Sequence, residues 1–94
     1  MKQQIKTLCI PRIKQEFTKR FIRSTVDKCG FGQIQSIIER PLRNDKQYKK
    51  VVIRLIVDKY SKNGTYLQYN TDNGITLKIA YNDFEYWRLI SVDW

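Results

Sequence analysis

The segment Val51–Val57, with the sequence Val-Val-Ile-Arg-Leu-Ile-Val, decides the fold class of this chain. It is rich in β-branched residues and almost continuously apolar, which is typical of a central β-strand that is covered on at least one face. Arg54 fixes the register of this strand, because burying a charge without a partner is costly. Successive side chains of a strand point to opposite faces. The set expected to face the core is Val51, Ile53 and Leu55, and the set expected to face away from it is Lys50, Val52 and Arg54.

Two further strands are predicted on the N-terminal side of this segment. Thr7–Ile10 is a short β-prone run, and Pro11 is expected to end it because proline cannot donate to a strand ladder. Gly32–Glu39 is the second predicted strand, with a bulge near Ser36 because its alternation of apolar and polar residues is imperfect. The polar and basic stretch Pro41–Lys50 is expected to be a connector that leads into the central strand.

Two helices are predicted between the strands. From Gln15 to Cys29 the apolar residues recur at helical spacing, and Gly30 follows where a left-handed helix stop is expected. We expect Phe17 and Phe21 of this helix to lie in the core. A weaker helix is predicted between Asp58 and Gly74, with Thr65 as its N-cap and Asn73-Gly74 as its end.

The end of the chain predicts a β-hairpin. Ile75–Tyr81 and Tyr86–Val92 are β-prone runs separated by the polar turn Asn82–Glu85, and we expect the last strand to pair with the first. The order is then β-α-β-β-α-β with one additional strand before the end. Right-handed strand–helix–strand connections place both helices on one face of an antiparallel sheet and leave the other face open. We therefore predict a single α+β domain over residues 1–94.

Basic residues are concentrated in the first part of the chain. The net charge is +9 without any histidine, and residues 1–54 hold fourteen basic and four acidic side chains, against four and five in residues 55–94. Such asymmetry is typical of a surface that attracts polyanions, above all nucleic acid. A solubilising surface charge without a partner would give the same composition, so this pattern alone leaves both interpretations open.

Several classes of protein are not expected from this sequence. Cys9 and Cys29 form no CxxC pair and histidine is absent, so we expect no metal, no cofactor and two reduced cysteines. We expect no enzyme activity, because no serine or cysteine stands beside an evident base and no glycine-rich phosphate loop occurs. We find neither a secretory signal nor an apolar run near the roughly 20 residues that span a bilayer. These features predict a soluble, intracellular protein that does not bind membranes.

Three segments resemble RNA-recognition-motif domains, which have a ferredoxin-like βαββαβ fold. Leu8–Ile13 (LCIPRI) resembles their shorter ribonucleoprotein motif, and Tyr48–Leu55 (YKKVVIRL) resembles the longer motif on the third strand. Phe17 to Phe21, followed by GFGQIQSI, resembles their first helix and the entry to the second strand. The combination of IPRI, PLRND, YKKVVI and LKIAYNDFEYW is also similar to short RNA-recognition-motif-like proteins encoded by large nucleocytoplasmic DNA viruses. The resemblance covers about residues 6–92 and implies RNA as the preferred partner; for a viral protein, it implies a place in the host cytoplasm or the virion.

The chain departs from these domains at the positions that stack on bases. The longer motif expects small and aromatic residues where this chain has Lys49, Lys50 and Val52, and the shorter motif expects an aromatic residue at Cys9. Base–aromatic stacking contributes about 1–3 kcal/mol per base, so three missing rings weaken sequence-specific binding. We therefore expect a basic sheet face that binds phosphates with little base preference. A protein-interaction or structural role on the same scaffold is the alternative, and the oligomeric state is left open.

The candidate contact residues lie on the outward side of the central strand and in the segments beside it. The residues expected to bind nucleic acid are Arg12, Arg43, Tyr48, Lys49, Lys50, Val52 and Arg54. Those in the connector could equally be solvated loop charges. Tyr86, Trp87 and Trp94 are candidates to replace the missing rings, although Trp87 is expected in the core. Lys19, Arg20 and Arg23 are expected to form a solvated helix face that points away from the open sheet.

Acylphosphatases share the predicted arrangement and provide the enzymatic alternative. Arg12 occupies the place of the arginine that such enzymes carry after their first strand. However, Gly32–Glu39 contains no asparagine, and Pro11–Lys14 stands where a glycine-rich phosphate cradle would be needed. We therefore do not expect this hydrolytic activity.

Overall fold

The computed structural model describes residues 4–92, which contain five β-strands and two α-helices. In chain order these are β1 (Ile5–Lys14), α1 (Lys19–Asp27), β2 (Gly32–Pro41), β3 (Tyr48–Val57), α2 (Lys62–Asp72), β4 (Leu77–Ala80) and β5 (Tyr86–Ser91). The strands form one sheet in the order β2-β3-β1-β5-β4, and every neighbouring pair is antiparallel. The predicted α+β class, with an antiparallel sheet and two helices, is confirmed.

The third strand has the predicted register. Val51, Ile53 and Leu55 are completely buried, whereas Arg54 is exposed. The strand is longer than predicted, because β3 begins at Tyr48 inside the stretch that was expected to be a connector. The alternation of side chains therefore extends back through the two lysines that precede Val51.

Both helices cover the same face of the sheet. Ile22 and Val26 of α1 and Leu67 of α2 belong to one core cluster with the buried side chains of β1 and β3. We call this side the helix-covered face and the opposite side the open face. No helix among residues 4–92 has both the length and the apolar composition needed to cross a membrane.

The first strand does not end at Pro11, contrary to the prediction. It continues to Lys14, and its pairing with β3 shifts register between Ile10 and Ile13. Pro11 and Arg12 lie in this irregularity, where the ladder requires no N–H group from the proline. The second strand contains the predicted bulge, with a register shift between Ile34 and Ser36.

The first helix is capped and stopped by local signals. The side chain of Thr18 accepts a hydrogen bond from the backbone N–H of Phe21, and Gly30 follows the helix with φ of +70°. The expectation for Phe21 is wrong, because its side chain is 39% exposed. Ile22 is the fully buried residue of this turn, and Phe21 instead stacks on the half-buried Phe17, with 5.4 Å between ring centroids.

The second helix begins earlier than predicted. Ser61, and not Thr65, is its N-cap, because the Ser61 hydroxyl accepts a hydrogen bond from the N–H of Gly64 at 2.9 Å. The predicted end at Asn73-Gly74 is confirmed. A Cβ atom on Gly64 would lie 1.9 Å from the carbonyl oxygen of Asp58, so glycine allows this helix to approach the end of β3 closely.

The predicted C-terminal hairpin is confirmed. β4 pairs with β5, and β5 pairs with β1 through Leu8↔Ser91 and Cys9↔Ile90. β4 is shorter than predicted, because Ile75 and Thr76 before it and Tyr81 after it lie outside the ladder. Trp87 is buried in the core as expected.

Candidate functional site

The open face carries basic side chains from all five strands and no acidic side chain from any of them. Among the described strands Glu39 is the one acidic residue, and it lies on the helix-covered face. We call the basic side chains of the open face the cationic face, and they are Arg12, Lys14, Arg40, Lys50, Arg54, Lys78 and Arg88. This composition makes the open face the strongest candidate for a binding surface on the described chain.

Two pairs of like charges face each other across neighbouring strands. Arg40 of β2 is directly opposite Lys50 of β3, and Lys78 of β4 is directly opposite Arg88 of β5. Within residues 4–92 none of these four side chains forms an ion pair with a carboxylate. Like charges at directly opposite positions destabilise a sheet. An anionic ligand that lies across both pairs would remove this repulsion.

A groove lies on the open face where β2, β3 and β1 run side by side. Its volume is about 510 Å³, and Arg40 and Arg54 are among the residues that line it. Ile5 and Ile38 also line it and are exposed, so the groove combines apolar surface with positive charge. The sequence prediction included Arg54 but missed Arg40. The bulge before Ser36 reverses which side chains of the second half of β2 face outward, and this places Arg40 on the open face.

Two predicted contact residues, Arg12 and Tyr48, lie together at one end of the open face. The guanidinium carbon of Arg12 is 3.9 Å from the centroid of the Tyr48 ring, and its Nη2 donates to the Asp45 carboxylate at 2.8 Å. Arg12 remains 58% exposed, so it can still contact a phosphate. One face of the Tyr48 ring is covered, however, and a base cannot stack there.

Lys49 does not belong to this surface, contrary to the prediction. It shares the orientation of Val51 and is only 4% exposed on the helix-covered face. Its ammonium group is bonded to the Glu39 carboxylate and to the backbone oxygens of Gln15 and Phe17. Lys49 therefore holds β3, β2 and the segment before α1 together and is not free to bind a phosphate.

The centre of the open face is buried and contains no aromatic ring. Val52 points outward as predicted but is 4% exposed, between Cys9 of β1 and Ile38 of β2. Both cysteines are free, and burial raises the pKa of the Cys9 thiol while the nearby charge of Lys50 opposes this rise. Val52 therefore packs between its neighbours in the sheet and has little exposed surface with which to contact a ligand. Arg43 is exposed in the connector between β2 and β3.

The aromatic residues of the hairpin divide between the two faces. Trp87 packs with Tyr81 and Phe17 on the helix-covered face, at centroid distances of 4.9 and 5.5 Å. Tyr86 lies on the open face, where its side chain is 44% exposed and the Lys78 ammonium is 4.9 Å from its ring centroid. Trp94, also a candidate from the sequence, lies outside the described residues.

Basic residues of the first helix are separate from the cationic face. Lys19, Arg20 and Arg23 are exposed on α1, which packs on the helix-covered face. They provide a matched set of charges for testing whether binding is local to the open face.

Comparisons with protein-family models, curated proteins and solved structures gave no match. Within residues 4–92, no group of three or more histidine, cysteine, aspartate or glutamate side chains is placed to hold a metal ion. A functional proposal must therefore rest on the chemistry of the open face.

Proposed function

We propose that this protein is a non-enzymatic nucleic-acid-binding module that contacts phosphates through the cationic face. The observation that supports this most strongly is the pair of cross-strand like-charge contacts, Arg40 with Lys50 and Lys78 with Arg88. Like-charge pairs without carboxylate partners lower the stability of a sheet. A bound polyanion would offset this repulsion, because its phosphates attract the side chains of both pairs.

The extent of the cationic face fits a chain of phosphates. It reaches from Arg40 on the β2 edge to Lys78 on the β4 edge, across all five strands. At about 4.8 Å between strands this is about 19 Å, which is long enough to contact several successive phosphates of one nucleic-acid strand. Contacts of this kind release counterions and give affinity that falls as salt rises.

The proposed scaffold is an RNA-recognition-motif-like, ferredoxin-like domain with one additional strand. Support comes from the order of the elements and from the central position of β1 between β3 and β5. The preference for RNA rests on the sequence resemblance. Because Cys9, Lys50 and Val52 supply no rings, binding is expected to depend on phosphates and to discriminate weakly between sequences.

A protein partner is the second candidate, and the groove is the observation that favours it. Ile5 and Ile38 are exposed there beside Arg40 and Arg54. Exposed apolar side chains rimmed by charge are typical of protein-interaction sites. The partner would be an acidic segment with an apolar anchor residue.

The test compares two charge reversals that change the net charge equally. Lys50→Glu with Arg54→Glu acts on the cationic face, and Arg20→Glu with Arg23→Glu acts on α1. Affinity for a short fluorescent oligouridine would be measured by anisotropy between about 50 and 200 mM salt. The first variant should lose most of the affinity, and the slope of log affinity against log salt should become shallower by about 0.7 for each lost phosphate contact.

The fold should tolerate the first variant, because Glu at position 50 would face Arg40 as an opposite charge. Circular dichroism would confirm that both variants remain folded. Equal losses from the two variants would contradict a localised site. Absence of binding by the parent protein at about 50 mM salt, or binding that salt does not weaken, would overturn the proposal.

A further inference from the structure

The β4–β5 hairpin places an exposed aromatic ring among the charges of the open face. Tyr86 lies on the same face as Arg88 and Lys78, because the buried Trp87 and Leu89 alternate with them on β5. Ala80, the residue directly opposite Tyr86 on β4, is small and leaves space beside the ring. The ring thus has an accessible surface with two cationic side chains next to it.

Tyr86 differs in this respect from the aromatic residues that pack on the sheet, while Phe84, which is 94% exposed, lies in the hairpin turn outside the strands. The Tyr48 ring is half-buried, and the Arg12 guanidinium lies against it at 3.9 Å. Trp87 and Tyr81 pack together on the helix-covered face. The Lys78 ammonium is farther from the Tyr86 ring, at 4.9 Å, and belongs to an exposed side chain that can move to a neighbouring phosphate.

We propose that Tyr86 is the base-stacking platform of this protein, with Lys78 and Arg88 holding the phosphates on either side of the stacked nucleotide. A nucleotide presents a flat π-face next to a negative charge, and the hairpin presents a ring next to two positive charges. The inference rests on the proposed function and names the ligand as single-stranded nucleic acid, because a base must be unpaired to lie on a side chain. Hydrogen bonding from Arg88, together with the charge of Lys78, lowers the pKa of Tyr86, which agrees with cations placed beside its hydroxyl.

The experiment separates stacking from attraction to phosphates. Binding of a short oligouridine would be compared with binding of an abasic backbone of the same length, for the parent protein, Tyr86→Ala and Tyr86→Phe. The parent should prefer the oligouridine, and Tyr86→Ala should lower affinity for it by about 5- to 150-fold. Tyr86→Phe should retain the preference, and the salt dependence should be the same for all three because no charge is removed.

Tyr66→Ala is the matched control, since Tyr66 is an exposed tyrosine on α2 and should not affect binding. If Tyr86→Ala binds the oligouridine as tightly as the parent does, or the parent binds the abasic backbone equally well, the stacking inference is wrong and the proposed function stands. If the parent binds neither probe, the proposed function itself fails. Circular dichroism melting would confirm that Tyr86→Ala is folded, and the Tyr86→Phe variant tests the inference without removing the ring.

Discussion

Lys49 and Glu39 form an ion pair on the helix-covered face of the sheet. The next residue, Lys50, points to the open face and lies opposite Arg40. Two adjacent lysines of one strand therefore have different surroundings. Lys49 is held by hydrogen bonds to the segment before α1 and by its ion pair with Glu39, whereas Lys50 lies among the charges of the cationic face.

Exchanging each of these lysines for methionine should separate the two roles. Lys49→Met leaves the oxygens of Gln15 and Phe17 without their donor, and we expect it to lower the free energy of unfolding by about 1–3 kcal/mol. Lys50→Met relieves repulsion with Arg40 and should leave stability unchanged or slightly higher. Urea denaturation measures the stability of both variants. Oligouridine binding measures the affinity, which we expect Lys50→Met to lower and Lys49→Met to leave unchanged. Weaker binding by a folded Lys49→Met protein, equal to that of Lys50→Met, would contradict this division.

The first helix should show a large difference between two neighbouring residues. Ile22→Ala removes a fully buried side chain, and we expect a loss of about 2–5 kcal/mol in unfolding free energy. Phe21→Ala removes a ring that is 39% exposed and mainly contacts Phe17 and Trp87, so the loss should be nearer to about 1 kcal/mol. Denaturant titrations of both variants measure this difference. Equal losses would show that Phe21 is buried more deeply in solution.

Replacing Gly64 by alanine should destabilise the protein even though alanine favours helices by about 1 kcal/mol. The added Cβ would meet the Asp58 carbonyl oxygen at 1.9 Å, so α2 must move away from the end of β3. Gly74→Ala is the control, because Gly74 has φ of +68° but open space around it, and only the backbone cost of about 1–2 kcal/mol applies. The melting temperature of Gly64→Ala should be lower than that of Gly74→Ala. The reverse order would contradict the close approach of α2 to the end of β3.

Tyr81 and Tyr86 should have pKa values that are shifted in opposite directions. Burial, assisted by the hydrogen bond to Glu85, raises the pKa of Tyr81 to about 12, whereas hydrogen bonding from Arg88 lowers the pKa of Tyr86. A raised folded-state pKa means that the neutral phenol stabilises the fold below the unfolded value of about 10, and this contribution is lost as the pH rises toward the folded value.

Phenolate absorbance measured against pH provides the test. Tyr86→Phe should remove absorbance that develops below the ordinary tyrosine pKa of about 10, and Tyr81→Phe should remove absorbance that develops above it. The parent protein should also lose more stability than Tyr81→Phe as the pH rises above about 10. A single transition shared by all the tyrosines would contradict both assignments.

Much of the fold could be predicted because the central strand carries one charge at a decisive position. Arg54 set the register of β3, and the buried Val51, Ile53 and Leu55 followed from it. The hairpin and the bulge near Ser36 could also be predicted, since both leave local signals in the pattern of apolar residues. The end of β1 could not, because Pro11 occupies an irregularity whose position depends on the pairing with β3.

The candidate site was harder to predict than the fold. Lys50 and Arg54 lie on the face that strand alternation predicted, but Lys49 was included because the connector was expected to extend to Lys50. Arg40 was missed, although counting alternation outward from the predicted bulge would have found it. Tyr86 was only one of three aromatic candidates, because exposure of a ring depends on the size of its cross-strand neighbour and on tertiary packing.

The bulge in β2 lets one uncharged residue determine the charge of the open face. Gln35 is the extra residue of this bulge and has no partner of its own on β3. If Gln35 entered the ladder opposite Arg54, every later residue of β2 would move by one position, so that Glu39 faced outward beside Lys50 and Arg40 faced the helices. Deletion of Gln35, in contrast, would only remove the bulge and leave both side chains on their present faces. The charge of the open face is therefore encoded in the number of residues along β2 as well as in their identity, and a shift in strand pairing would reverse it without any change in the protein's isoelectric point.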